Sequence, residues 1–320
     1  MGERDPVFVL LRELLLAGGM IAIIVLAMWA HTGSMPPLVV VESNSMQHDE
    51  NGEYGTIDAG DLILVHNKDS KKIVTFVEAK DKSNPNYGYE SLGMAGDVII
   101  FERNGEEEST PIIHRAMFNV LIANSTGLNE NQQCDEGTLW DEICILSWTV
   151  PGTDQINVPK VNLLFDGNQT AKYHCDGYAA MHGENYYHIE NYTPTNPGYI
   201  TLGDNNNCND DQGVFAFAEG ITSMHSGIVR PVLYDWVIGV SGEEIPWLGT
   251  VKLLVSGGDS PGASQVPGMS FFYLVTFILI VLAIPVLVDP LINRTLRNSP
   301  EMIEAEHEDA LAAIYGKEEE

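Results

Sequence analysis

Ser45, His114 and the acids Asp204, Asp210 and Asp211 are of the types that can do chemistry together. A serine hydroxyl is a weak nucleophile at neutral pH. It needs a base to take its proton and a third group to orient that base. Ser45 follows the extended run Leu38 to Val41 through a Glu-Ser-Asn turn, His114 ends the run Ile112-Ile113, and the three aspartates share one Asn-rich loop after Tyr199 to Leu202. Each group thus stands at the end of a strand-like apolar run, where a sheet edge would hold it. Ser43 lies on the same side as Ser45 if the local chain is extended, so its hydroxyl can join the Ser45 backbone N–H in binding a developing oxyanion. Taken singly, each residue has a plainer reading: a turn serine, a structural histidine, acids that cap turns.

Other chemistries fit less well. The aspartate loop fails the calcium-loop pattern: counted from Asp204, the fifth and sixth positions are Cys208 and Asn209, where a ligand and a glycine belong. His174, Cys175, His182 and His188 fall close together but match no common zinc spacing. No metal and no cofactor is expected. His48 and His66 are the alternative bases. No lysine lies in an apolar run: Lys71-Lys72 and Lys80 to Lys82 stand in polar stretches.

The elements that must position these groups begin with two apolar stretches. Leu14 to Ala30 is a 17-residue run without a charge, and Met269 to Val288 is a 20-residue one. A membrane span needs about 20 predominantly apolar residues, so both predict spanning helices, the first read as an anchor rather than a cleaved signal. The segment between them is then one topological unit, with both termini on the other side of the membrane. Ser45 lies 15 residues beyond Ala30, close to the membrane surface.

The formal net charge is −29, and residues 31–268 carry 33 acids against 11 Lys and Arg. Such a surface repels nucleic acid and suits solubility in salty water. All four cysteines, Cys134, Cys144, Cys175 and Cys208, fall in this segment, which suggests two disulfides outside the cytoplasm. Three sequons, at Asn124, Asn168 and Asn191, fall there too.

Short β-branched runs at 38–41, 62–65, 98–101, 111–114, 199–202 and 214–217 predict a mainly antiparallel β domain, with Gly60-Asp61 and Gly96-Asp97 as turns. The organisation expected is a transmembrane anchor at 7–30, a β-rich domain at 31–118 and 198–255, an inserted lobe at 119–197, a flexible linker at 256–268, a second transmembrane helix at 269–288 and an acidic cytoplasmic tail at 289–320. The lobe, rich in Asn, Asp, Gly, Tyr and cysteine, reads as stapled rather than well cored.

Ser43-Asn44-Ser45-Met46, Gly60-Asp61-Leu62-Ile63, Gly96-Asp97-Val98-Ile99-Ile100-Phe101, Ile112-Ile113-His114-Arg115, Gly203-Asp204-Asn205-Asn206 with Asp210-Asp211, Ile238-Gly239 and Ile245-Pro246-Trp247-Leu248-Gly249 occur in that order. The set resembles type I signal peptidase, in the subtype of archaea and the endoplasmic reticulum, where histidine replaces the bacterial lysine. It covers roughly residues 36–118 and 198–252. The resemblance implies an antiparallel β catalytic domain of signal-peptidase type, with Ser45 as nucleophile, His114 as base, Asp211 as third residue, Asp204 as a further important acid and Ser43 at the oxyanion. It implies signal peptides of secreted preproteins as substrates, with small side chains at −1 and −3. It also implies work at the extracytoplasmic face, in contact with membrane lipid and the protein translocation channel. The acidic surface favours an archaeal membrane over the endoplasmic reticulum. His48 stands where the family usually has proline, and the aspartate loop is one residue longer, which leaves Asp210 as an alternative to Asp211. The rival readings are a catalytically silent acidic surface scaffold and a processing peptidase dedicated to one surface-protein precursor.

Overall fold

The computed structural model describes residues 6–52, 54–126, 145–164, 187–215, 219–256 and 264–297. The chain divides into one compact unit at residues 1–270 and a second at 271–320.

The first unit opens with helix α1, Pro6–Thr32. Its leucines and isoleucines are exposed on every face, from Leu11 at 54% to Leu15 at 69%. A helix that is apolar all round has no preferred face to bury against a domain and is suited to hydrocarbon. Leu10–Thr32 is long and apolar enough to cross a membrane, and so is Gly268–Val288. The second helix, Gly268–Arg297, continues past Val288, where a tail was expected. Proline removes one backbone donor, but its φ is helical, and the Leu- and Arg-containing residues after Pro290 are good helix formers.

Between the helices the protein is β-dominated. The main sheet runs β1 (Leu38–Val40), β2 (Leu62–His66), β11 (Val237–Ile245), β5 (Val98–Phe101), β6 (Ile112–Thr126) and β10 (Gly198–Leu202), every pair antiparallel. β7 (Ile145–Thr149) pairs with the far end of β6. Two antiparallel pairs, β3 (Glu90–Ser91) with β4 (Met94–Ala95) and β8 (Val161–Leu164) with β9 (His188–Tyr192), complete the described strands. β5 is buried at all of its residues, as an unbroken apolar run in a sheet centre should be. Short helices follow at α2 (Phe76–Lys80), started by a Thr75–Glu78 capping box, and α3 (Thr250–Val255).

The Gly-Asp pairs do more than turn the chain. Gly96 has φ +81°, and a Cβ there would lie 2.6 Å from the Phe76 backbone nitrogen. Next to it, buried Asp97 accepts hydrogen bonds from Val74 N (2.8 Å), Lys71 Nζ (3.0 Å) and Tyr89 Oη (2.7 Å). Asp61 likewise accepts from Asp58 N and Trp247 N, joining the start of β2 to the segment after β11.

Three expectations need correcting. Val214 and Phe215 are not strand: their N–H groups bond the Asp210 carboxylate instead of a ladder, and 216–217 lie outside the described residues. The linker's described end is bound rather than free, since Gln265 Oε1 accepts from Asn44 N at 3.0 Å. The described parts of 119–197 are better cored than expected. Val120, Trp148, Val150, Val161, Leu163, Tyr187 and Ile189 share one buried cluster with Phe76, Phe118, Ile200, Leu202, Cys208 and Phe215. Composition misled here because the polar residues and cysteines of this segment masked a sparse set of large apolar ones. Cys208 is disulfide-bonded, and the other cysteines lie outside the described residues. Of the sequons, Asn124 and Asn191 are exposed and Asn168 lies outside the described residues.

Trp148 is fully buried in that cluster. Trp148→Ala should therefore destabilise the domain by about 3–5 kcal/mol, the range for truncating a large core aromatic. Denaturant unfolding in detergent, followed by far-UV circular dichroism, measures it. A loss under about 1 kcal/mol would mean that 119–197 is separable from the core.

Candidate functional site

The site forms where β6, the loop after β10 and the loop after β1 meet. His114 pairs across the sheet with Ile99 on β5, which fixes its backbone. Its ring leaves the sheet between two oxygens. His114 Nε2 is 2.9 Å from Ser45 Oγ, and His114 Nδ1 is 2.8 Å from both carboxylate oxygens of Asp211. With Nδ1 protonated and donating to Asp211, Nε2 is left as the acceptor for the Ser45 hydroxyl. His114 and Asp211 are buried and Ser45 is half-buried. Ser43 Oγ lies 3.2 Å from Ser45 Oγ, on the same side of the loop.

Asp211 is held from three directions. Its N–H donates to Thr201 O at 3.0 Å, its carbonyl accepts from Ile221 N at 2.8 Å, and its carboxylate accepts from Thr201 Oγ1 at 2.6 Å. Thr201 is in turn clasped by Gln212, whose Oε1 accepts from Thr201 N and whose Nε2 donates to Thr201 Oγ1. Sequence reasoning missed Thr201 and Gln212. A threonine in a strand reads as a β-former, and only the return of the aspartate loop alongside β10 brings an acid to its hydroxyl.

Asp210 faces away from His114. Its carboxylate accepts from Val214 N (2.8 Å), Phe215 N (2.8 Å), Gln212 N (3.1 Å) and Tyr187 Oη (3.1 Å). Burial pushes its carboxyl up to about 6, Asp211 adds to the rise, and these donors oppose it. Asp210 is thus the organiser of the loop, and Asp211 is the acid that reaches the imidazole.

Asp204 does not touch His114 either. It receives Arg115 Nε at 2.9 Å, Arg115 Nη2 at 2.6 Å and His48 Nε2 at 2.8 Å. Burial opposes its ionisation, but Arg115 and His48 outweigh that and hold its carboxyl below the usual range. The neighbouring Asn205 N donates to Ser45 O at 2.8 Å, and Asn205 Nδ2 to Asn44 O at 3.0 Å. A Cβ at Gly203 would lie 2.7 Å from Ser45 O, so a glycine is what lets the two loops approach. His66, the other alternative base, stands with His31 and Glu243. Of the four possible zinc ligands only His188 is described, with its ring edge against Phe215.

A cleft of roughly 360 Å³ opens over Ser45 and His114. Val40, Val41, Ile112, Ile113 and Ile221 supply apolar wall, while Glu42, Ser43, Arg103, Thr110, Asn206 and Gln265 supply polar groups. The arrangement can pass a proton from a serine hydroxyl to an imidazole beside a cleft of mixed apolar and polar lining. No protein-family model, curated protein or solved structure matches the chain.

Two expected outcomes follow from the acids. Asp204→Ala would strand the buried Arg115 guanidinium and should cost about 3–5 kcal/mol in thermal or denaturant unfolding. Asp210 carries a folded pKa above its ordinary 3.8, so the stability it contributes is complete below that value and is lost as pH rises through about 6. Asp210→Asn should unfold more easily at every pH, because one amide oxygen cannot serve four donors, yet show a flatter melting-temperature profile between pH 4.5 and 7.5 than the parent. An unchanged slope would overturn the assignment of that titration to Asp210.

Proposed function

We propose that the chain is a membrane-anchored serine endopeptidase that removes signal peptides from secreted preproteins at the extracytoplasmic face. The observation that carries the reading is the His114 imidazole, within 2.9 Å of Ser45 Oγ on one side and 2.8 Å of Asp211 on the other. In this reading His114 takes the Ser45 proton as Oγ attacks the scissile carbonyl, and returns it to the leaving amine. Asp211 holds the ring in the needed tautomer and steadies the imidazolium. The Ser43 hydroxyl, with the Ser45 N–H, stabilises the oxyanion. Water then enters by the same base to release the acyl group.

The substrate class rests on the motif resemblance and on the cleft. β1 is the terminal strand of the main sheet and ends in it, so an extended segment can pair along β1 and place small side chains against Val41 and Ile113. Two helices suited to a bilayer would confine enzyme and preprotein to one surface, which raises their effective concentration. A silent scaffold would have no need of a buried acid aligned on an imidazole aligned on a hydroxyl. A peptidase dedicated to one precursor would use the same machinery, and a panel of preproteins separates it from a general one.

The test is cleavage of a preprotein with an Ala-x-Ala site, together with labelling of Ser45 by a fluorophosphonate probe. Ser45→Ala should abolish both while the chain still inserts and melts as the parent does. Asp211→Asn should lower turnover by about 10⁴-fold, since it leaves the wrong tautomer facing Ser45. Ser43→Ala should lower it by about 10²–10³-fold with little change in KM. A Ser45→Ala chain that cleaves at more than a few per cent of the parent rate would sink the reading.

A further inference from the structure

We infer that His31, His66 and Glu243 form a binding site for a divalent transition-metal ion of the zinc class, where the first apolar helix meets the sheet. One ligand atom from each residue lies within 4.8 Å of the other two. Two imidazoles and a carboxylate are a donor set for zinc that leaves positions open for water. His66 Nε2 and Glu243 Oε2 are 3.6 Å apart, close to the about 3.3–3.6 Å between two ligands of one tetrahedral ion with bonds near 2.1 Å. The His31 and His66 rings meet edge to face with centroids 5.5 Å apart, so a small side-chain rotation brings the third nitrogen to bonding distance.

The backbone is shaped around this cluster. β11 pairs Val240 with His66 and Ser241 with Val65, then shifts register, so that Gly242 and Glu243 fall in a bulge before Glu244 pairs with Ile63. Bulges re-aim side chains, and this one presents Glu243 to His66. A Cβ at position 242 would lie 2.5 Å from His66 Nε2, so a glycine there leaves the imidazole its room. His31, in the last turn of α1, is brought to the end of β2 by two bonds that need no ion: Asn67 N to Thr32 O at 2.9 Å and Asn67 Nδ2 to Gly33 O at 3.2 Å. The ligands therefore sit on a helix end, a strand and a bulge that are already joined, which limits the ordering a metal must impose.

Access is provided as well. His66 and Glu243 line an open cavity with Lys71, Glu90, Ser241 and Glu244, and its space admits a water as fourth ligand. None of the three ligands lines the Ser45 cleft. The bound ion is a clamp between α1 and the β2–β11 pair, and it is independent of the proposed peptidase chemistry.

The experiment uses the full chain in detergent, stripped with a chelator and titrated with Zn²⁺ by calorimetry and with Co²⁺ by visible absorbance. The expected result is one site of micromolar or tighter affinity, a tetrahedral Co²⁺ spectrum, no competition from Mg²⁺ or Ca²⁺, and a melting temperature raised by Zn²⁺. His66→Ala and Glu243→Gln should each weaken Zn²⁺ by at least roughly tenfold and remove most of the thermal shift. His31→Gln, at an exposed position, repeats the test with little risk to folding. Absence of Zn²⁺ binding to the parent would overturn the proposal. Binding that survives all three substitutions would overturn it too, by placing the ion on the acidic surface or among His174, Cys175 and His182.

Discussion

The buried ion pair between Arg115 and Asp204 is the constraint from which the rest of the site hangs. Arg115 is wholly buried, and besides Asp204 its guanidinium donates to the carbonyls of Ser91, Leu92, Met94, Ala95 and Gly96. A buried cation is tolerable only when its donors are used and its charge is met. Here both conditions tie together the β3–β4 hairpin, β6 and the loop after β10. That loop carries Asp204 at one end and Asp211 at the other, and between them Asn205 grips the backbone of Ser45. His114 is the residue before Arg115, so the geometry of Ser45, His114 and Asp211 is inherited from the packing of a side chain that points the other way.

The protein puts its acids to two uses. The chain carries 45 of them against 16 Lys and Arg. Most serve solvation, but a few are buried and each is given a distinct set of donors. Asp97 takes an amide, an ammonium and a phenol, Asp210 takes three amides and a phenol, Asp204 takes a guanidinium and an imidazole, and Asp211 takes a hydroxyl and an imidazole. The differences decide function. A carboxylate whose lone pairs are filled by backbone amides has none to spare for a neighbouring imidazole. Asp211 keeps its free face because Thr201, rather than the loop backbone, fills the other side.

The segment between residues 119 and 197 joins this arrangement physically. Tyr187 reaches Asp210, and Trp148 and Ile189 share a cluster with Phe215 and Cys208 of the aspartate loop. Since Asp210 and Asp211 are adjacent, these contacts reach the loop that orients His114.

The amino-acid order by itself determined the local features. The two apolar helices, the short β-branched runs of β2, β5, β6 and β10, and the turn glycines are properties of neighbours in the chain, which composition reports directly. The candidate residues were also legible as types standing at the ends of apolar runs. What the sequence left open was which acid does what. Asp210 and Asp211 are identical in kind and adjacent, and only the fold, by sending Val214, Phe215 and Tyr187 to the first and Thr201 to the second, gives them different partners. The same holds for Arg115, Thr201, Gln212 and the His31–His66–Glu243 cluster: their partners are distant in sequence, and strand register and a bulge, which no local pattern encodes, bring them together. Burial misled composition once, in 119–197, because a core needs only a few large side chains in the right places, and a count of polar residues does not see where they point.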